Sequence, residues 1–370
     1  MNSFAIYRLP YADSCTLVEQ PSEPLVLYDL QQLNDRCGFV VAPFAVSREC
    51  PIVVISPDSV RQFQLDAKPM PSLSCHLADA DISYTTENNS SSMEDVYATD
   101  FAHFHQALKS GRFQKLVLAR CVAKKRQAHA DPMRLFLSAC QHYPRLFIAM
   151  VSTPQTGTWI VATPEVLLQQ EGKQWRSIAL AGTMQLTPDE MAGEGERRTW
   201  GEKDIREQRY VASFIAQELQ RMGIPYEEQG PRTVRAAHLV HLRSDFVFRL
   251  GQSWSKRMGD LLAAFHPTPA VCGLPREEAQ QFILHNEHVH RSYYSGFMGP
   301  LGIDMPTDSV VSSVTHLFVT LRCVQVCKSA YLMYAGGGIL PDSLQQMEWM
   351  ETEAKLYTMS RLIREDTEVS

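Results

Sequence analysis

The stretch Ala264-Phe265-His266-Pro267-Thr268-Pro269-Ala270-Val271-Cys272-Gly273-Leu274-Pro275 holds three prolines, one glycine and one histidine. Proline fixes φ and removes a backbone donor, so this run cannot continue a helix or fill the middle of a sheet. It is a corner of the fold or the wall of a pocket, and its neighbours decide between the two.

Upstream, residues 146–152 and 158–162 read as a hairpin of strands. Residues 115–124 read as a strand with Lys115, Val117, Ala119 and Cys121 on one face, and 173–178 lead into a small-residue turn at 179–183. The spacing predicts a helix over 92–111, opened by Ser92 with Asp95 and striped by Tyr97, Phe101, Phe104 and Leu108. Asp131-Pro132 opens another, with Asp at the N-cap and Pro at the first helical position. Residues 203–222 form the clearest amphipathic helix. Val211, Phe214, Ile215, Leu219 and Met222 are its core stripe, and Gly223 and Pro225 its stop. Short strands are predicted at 24–30, 39–46 and 51–56, and further ones at 317–326 and 331–335. The latter end in Gly336-Gly337-Gly338, before a last helix over 343–364. Residues 83–95 read as an exposed loop or linker. Strands arrive in clusters and hairpins rather than in β-α-β alternation, which predicts an α+β fold with antiparallel or mixed sheets.

The chain has 370 residues, 45% hydrophobic and 21% charged, with a net charge of −6. That balance gives no basic footprint for nucleic acid or an anionic membrane surface. No apolar run approaches the roughly 18 residues that a spanning helix needs, and the N-terminus lacks a secretory signal pattern. Nine scattered cysteines without a Cys-x-x-Cys pair read as reduced thiols in a cytoplasmic protein.

Two helices carry carboxylates in one pattern. Asp204 and Glu207 are three apart and continuous with Val211; Glu348 and Glu351 are three apart, with Lys355 four further on. These are either solvated acidic faces or the walls of a pocket, where the charges would repel unless a divalent cation joined them. An all-oxygen set suits Mg²⁺. Lys115, if its face is buried, becomes a usable general base. Glu165, if partly buried, becomes a proton donor. Arg322 sits mid-strand between Thr320 and Val324, where it needs an anion. The Gly336–Gly338 run is a tight turn or a set of amides for an anion, without the spacing of a dinucleotide site. His266 alone reads as structural or catalytic.

Together these pieces resemble the chorismate-utilising enzymes, and within them the isochorismate synthases. The resemblance spans about residues 93–365. It rests on Lys115-Leu-Val-Leu-Ala-Arg120, Pro164-Glu165, Leu180-Ala-Gly-Thr183, Glu202-Lys-Asp-Ile-Arg-Glu207, His238-Leu-Val-His-Leu242, Tyr294-Ser-Gly296, Leu321-Arg-Cys323, Tyr334-Ala-Gly-Gly-Gly-Ile339 and Glu348-Trp-Met-Glu351-Thr-Glu-Ala-Lys355, in register. It implies the anthranilate synthase component I-like fold in one structural domain: residues 1–92 a variable N-terminal part, 93–370 the chorismate-binding core. It implies that water attacks C2 of chorismate with Lys115 as base while Glu165 protonates the departing C4 hydroxyl. Glu207 and Glu351 would bind Mg²⁺, with Asp204 and Glu348 holding its waters. Arg322, Gly336, Gly337 and Tyr294 would take the enolpyruvyl carboxylate. Gly182, Thr183 and Lys355 would line the ring-carboxylate side, and His266 would sit near the leaving hydroxyl. Ala270 belongs to the segment that separates water addition from ammonia addition, so no obligatory glutaminase partner is implied. A salicylate synthase, an amine-adding synthase and a catalytically silent chorismate-binding homologue are the rival readings, and a metal-dependent hydrolase of another fold a distant one. Gln208 and Met184 depart from the residues usual in the family. Monomer is the default expectation.

Overall fold

The computed structural model describes residues 2–65, 71–80, 93–127, 129–186, 199–254, 256–305 and 312–368. Two nine-stranded sheets dominate it. The first runs Gly273–Leu274, Lys115–Lys125, Ala330–Ile339, Cys323–Val326, Gly157–Thr163, Phe147–Thr153, Ser3–Arg8, Ser14–Gln20 and Ser59–Gln64 from edge to edge. The second runs Tyr226–Ala236, Leu239–Phe248, Gln174–Gln185, Val166–Glu171, His316–Val319, Phe297–Leu301, Gly38–Ala42, Ile52–Ile55 and Leu25–Leu27. Neighbours in both are antiparallel. This is the α+β architecture expected.

The sheets pack face to face, with helices outside each. Successive side chains of a strand point to opposite faces, and the two faces here meet different cores. Phe147, Ala149 and Val151 point inward to a core shared with Phe39, Val41 and Phe318 of the second sheet. Phe147 and Phe318 stack at 4.1 Å between ring centroids. Ile148 and Met150 point outward, under the helices Pro132–His142 and Gln345–Glu368. Burial on both faces explains why these strands read as continuous apolar runs rather than alternating ones. The helix Glu202–Arg221 covers the outer face of the second sheet through Val211, Phe214, Ile215 and Leu219. The helix Met93–Lys109 buries Tyr97, Phe101, Phe104 and Leu108, the predicted stripe. Asp131 caps the helix after it by accepting from Met133 N at 2.9 Å. Of the predicted loop over 83–95, residues 83–92, with Ser92, lie outside the described residues, and 93–95 are not loop but the first residues of the helix Met93–Lys109.

Three expectations change. The run 317–326 is two strands: His316–Val319 belongs to the second sheet and Cys323–Val326 to the first, so the chain crosses between sheets at 320–322. Arg322 therefore stands in a crossover with φ +48°, not in mid-strand. Residues 179–183 form no turn; they lie within the strand Gln174–Gln185, whose pairing slips between Ala181 and Met184 and where Gly182 takes φ +73°. Gly336–Gly338 likewise lie inside the strand Ala330–Ile339, opposite Ala119, Leu118 and Val117.

Candidate active site

Two sheet-to-sheet crossovers lie side by side and carry two of the charged groups of one cavity. Thr163-Pro164-Glu165 leads from the strand Gly157–Thr163 of the first sheet into Val166–Glu171 of the second. Thr320-Leu321-Arg322 makes the opposite passage. The two are tied together by Val319 N to Glu165 O at 2.9 Å and Ala162 N to Arg322 O at 3.2 Å. A chain changing sheets points side chains along the gap instead of into either core, which is how Glu165 and Arg322 come to face one space. That cavity is lined further by Gly182, Thr183, Glu207, Tyr294, Gly336, Gly338 and Lys355.

The proline-rich stretch is both alternatives at once. The helix Met258–Phe265 ends at it, and the chain folds back on Thr268 O, which accepts from Val271 N and Cys272 N at 3.1 and 3.0 Å. Gly273 and Leu274 then pair with Leu116 and Lys115, closing the edge of the first sheet. Ala270 and Val271 are left as a wall of the cavity. The corner and the wall are the same residues, and they fix the start of the Lys115 strand.

Glu165 is 3% exposed. Burial pushes its carboxyl up to about 8 against the opposing pull of Lys115, Lys355 and Arg322. Its Oε1 has no hydrogen-bond partner among the described residues. A carboxyl held protonated near neutral pH and aimed into a cavity can give a proton. Lys115 is fully buried, and its Nζ stands 3.0 Å from Glu207 Oε1 at the cavity's edge, behind Gly338. Burial raises the Glu207 carboxyl, but Lys115 and Lys203 outweigh it and hold the net value below the usual range.

The acidic pairs of the two helices meet over the end of the strand Ala330–Ile339, each beside a lysine. Glu348 pairs with Lys203, and Glu351 Oε1 with Lys355 Nζ at 2.6 Å; Lys355 also donates to Gly336 O at 2.8 Å. Burial, then the Glu351 charge, lifts Glu348 to about 7; burial, then the Glu207 charge, lifts Asp204 to about 6. Among the described residues, no three carboxylate, histidine or cysteine groups stand close enough to share an ion. The donor chemistry nevertheless fits a hard divalent cation. All four groups are carboxylates, the Glu207 and Glu351 charges help to raise the Asp204 and Glu348 carboxyls, and Glu348 Oε2 is buried with no hydrogen bond among the described residues.

Glycine is required at 338. A Cβ there would lie 2.0 Å from Glu207 Oε1 and 2.9 Å from Lys115 Cε. Gly338→Ala is therefore expected to displace the Glu207–Lys115 pair, costing about 1–3 kcal/mol and most of the activity. Thermal unfolding and a turnover assay check this; a variant like wild type in both would contradict it.

Two histidines exchange places relative to expectation. His266 does not line the cavity: its Nε2 meets Pro43 O at 3.0 Å and its ring stands edge-on to Phe297. It anchors the stretch to the chain just past the strand Gly38–Ala42. His241, given no role from the sequence, does line the cavity. Its Nδ1 donates to Gly182 O at 2.9 Å, so Nε2 is left to accept from Arg322 Nη2. Burial and the Arg322 charge hold it neutral, well below the usual histidine range. It thereby ties the bulge at Gly182 to the crossover cation. Gly337 faces away from the cavity, toward Glu348 and Glu351. Gln208 donates to Ser244 Oγ at 2.9 Å in the core, a packing role, and Met184 lies in the groove beside Asp204 and Glu348.

Residues 55–364 match the family described as chorismate binding enzyme. The isochorismate synthase EntC of Escherichia coli is 30% identical over 249 residues, which are 66% of this chain and 61% of that protein. The chain thus spans about 61% of that relative's length. Among solved structures, DhbC from Bacillus anthracis superposes with a TM-score of 0.76 at 23% identity, over 98% of this chain and 96% of that one. Anthranilate synthase component I from Streptococcus pneumoniae superposes with a TM-score of 0.64 at 17% identity, over 95% and 81%. At those identities the superpositions establish the fold. No described helix is long and apolar enough to cross a membrane.

Proposed function

This chain belongs to the chorismate binding enzymes, and from that membership we propose that it is an isochorismate synthase, converting chorismate to isochorismate with Mg²⁺. The observation that carries the reading is a buried, protonated carboxyl, Glu165, in a cavity that also holds Glu207, Arg322 and Lys355, with the fully buried Lys115 joined to Glu207 behind that wall. Chorismate bears two carboxylates, and two cations meet that need. Arg322 is preset by His241, and Lys355 by its bond to Gly336 O.

In this reading Lys115 is the base for a water attacking C2 of the ring. Glu165 gives its proton to the C4 hydroxyl, which leaves as water while the double bonds shift. Water is a weak nucleophile and hydroxide a poor leaving group, so base and acid act together. Arg322, Tyr294 and the amide at Gly336 hold the enolpyruvyl carboxylate; Gly182, Thr183 and Lys355 hold the ring side. Ala270 and Val271 exclude water from the apolar face of the ring. Glu207 and Glu351 would hold Mg²⁺, with Asp204 and Glu348 behind them, and the bound ion would supply positive charge for the ring carboxylate.

Incubating the purified chain with chorismate and Mg²⁺, with and without ammonia, and separating the products decides the matter. Isochorismate alone is expected. Salicylate with pyruvate, or an amino product, would replace this reading by one of the rivals, and unchanged chorismate would indicate a binding protein. Glu351→Ala is expected to remove activity and its Mg²⁺ dependence together, with calorimetric Mg²⁺ binding weakened. A variant still stimulated by Mg²⁺ would refute that assignment.

A further inference from the structure

Outside the site, one charged pair is buried more completely than any chemistry so far explains. Glu287 and Arg291, just beyond the helix Arg276–Asn286, have side chains 1% and 3% exposed. Arg291 Nε donates to Glu287 Oε2 at 2.6 Å, and Nη2 to Oε1 at 2.7 Å, a two-pronged ion pair. The guanidinium lies over the Phe44 ring, 4.4 Å from its centre.

The pair completes the edge of the first sheet. The two-residue strand Gly273–Leu274 covers only Lys115 and Leu116, and Val117 N to Cys272 O, at 2.7 Å, is the last backbone bond along that edge. Beyond it, side chains take over. Arg291 Nη2 donates to Val117 O at 2.8 Å, and Glu287 Oε1 accepts from Ala119 N at 2.7 Å. The remaining fork of the same guanidinium, Nη1, donates to Val271 O at 2.7 Å. Arg291 O then accepts from Tyr294 N at 2.9 Å, opening the turn that delivers Tyr294 to the cavity. One planar cation thus ties two separate walls, the strand that begins at Lys115 and the stretch holding Ala270 and Val271, and the backbone of the same residue opens the turn to Tyr294. A fork with donors in fixed directions can do this; a single ammonium cannot.

We propose that Glu287 and Arg291 are a positioning pair, which sets the spacing between Lys115 and the Ala270–Val271 wall. The inference rests on the reading of Lys115 as the base. Neither residue lines the cavity, and among the described residues Arg322 and Lys355, which hold the substrate carboxylates in that reading, make no hydrogen bond to the pair. Disturbing it is therefore expected to move kcat rather than KM.

Arg291→Lys keeps a cation beside Glu287 but loses the fork. It is expected to unfold close to the wild-type temperature, with kcat lowered at least about tenfold and KM within about threefold. Amide hydrogen exchange should quicken in 115–119 and 270–273 and not elsewhere. Glu287→Gln with Arg291→Met, which leaves no buried charge unpaired, should show the same pattern. Full kcat in Arg291→Lys, exchange that rises uniformly over the chain, or a failure of both variants to fold would overturn the proposal. If the wild type leaves chorismate unchanged, the functional reading fails by itself. Exchange then decides alone: quickening confined to the two segments supports the positioning pair, and uniform quickening refutes it.

Discussion

Replacing Glu165 with glutamine is expected to abolish turnover and, above neutral pH, to make the protein more stable. The two effects share a cause. Burial lifts the Glu165 carboxyl from 4.5 to about 8, with Lys115, Lys355 and Arg322 only partly offsetting it. Between those values the native state holds a proton that the unfolded chain has already released. Stability therefore falls as pH rises from about 4.5 to about 8 and levels off beyond, at no more than about 1.4 kcal/mol for each pH unit. Glutamine does not titrate, so the variant's advantage should be near zero at pH 5 and reach a few kcal/mol at pH 8. Thermal unfolding of both proteins across that range measures it, and parallel curves would reject the buried acid. Activity should fall by about 10²–10⁴ because glutamine has no proton to give. The wild-type rate should also decline as pH rises through about 8, where the acid is lost. The cost in stability of burying this carboxyl is what keeps it protonated at neutral pH.

Much of this arrangement was legible in the chain. The hairpin at 147–163 and the helix over 202–221 declare themselves because their periodicity is local and their stop signals adjacent. The carboxylates stood out because they are continuous with apolar positions, and the structure places Glu207 at the cavity and Asp204, Glu348 and Glu351 at a neighbouring groove. What was not legible depends on distant partners. The run Leu317-Phe318-Val319-Thr320-Leu321 is as apolar as any strand, and only the presence of two stacked sheets makes it break at 320–322. Three successive glycines read as a turn; that they are strand residues is decided by a carboxylate 131 positions away, from Glu207 to Gly338, occupying the place of a side chain. His266 drew attention because prolines surround it. His241 sits in an ordinary apolar strand, where nothing local distinguishes a core histidine from one bonded to Arg322 and Gly182. Its one available signal was its place in the motif His238-Leu-Val-His-Leu242.

Lys115→Gln should abolish product formation and also destabilise the fold, and the second effect should be reversible by a second substitution. Lys115 and Glu207 are buried together at 3.0 Å, and Lys115 is a leading reason that the Glu207 carboxyl stays ionised despite burial. Removing one partner of a buried pair leaves an uncompensated charge, at a cost of about 3–5 kcal/mol. Lys203 also pulls on Glu207 and stands close by, so the lower end applies. Adding Glu207→Gln removes the stranded charge, and the two amides are then free to bond each other. The double variant should recover most of the lost stability, a non-additivity that denaturant unfolding of the four proteins measures directly. Its activity should stay down by at least about 10²–10⁴, since an amide is no base. Recovery of both together would mean that Lys115 serves only to neutralise Glu207. Loss of both together would mean that the pair holds the strand against the Gly338 backbone, whatever its charge. Recovery of stability without activity fits a proton-accepting lysine; because Glu207 is also a proposed Mg²⁺ ligand, the deciding protein is Lys115→Gln alone, which should lose activity while calorimetry still detects Mg²⁺ binding.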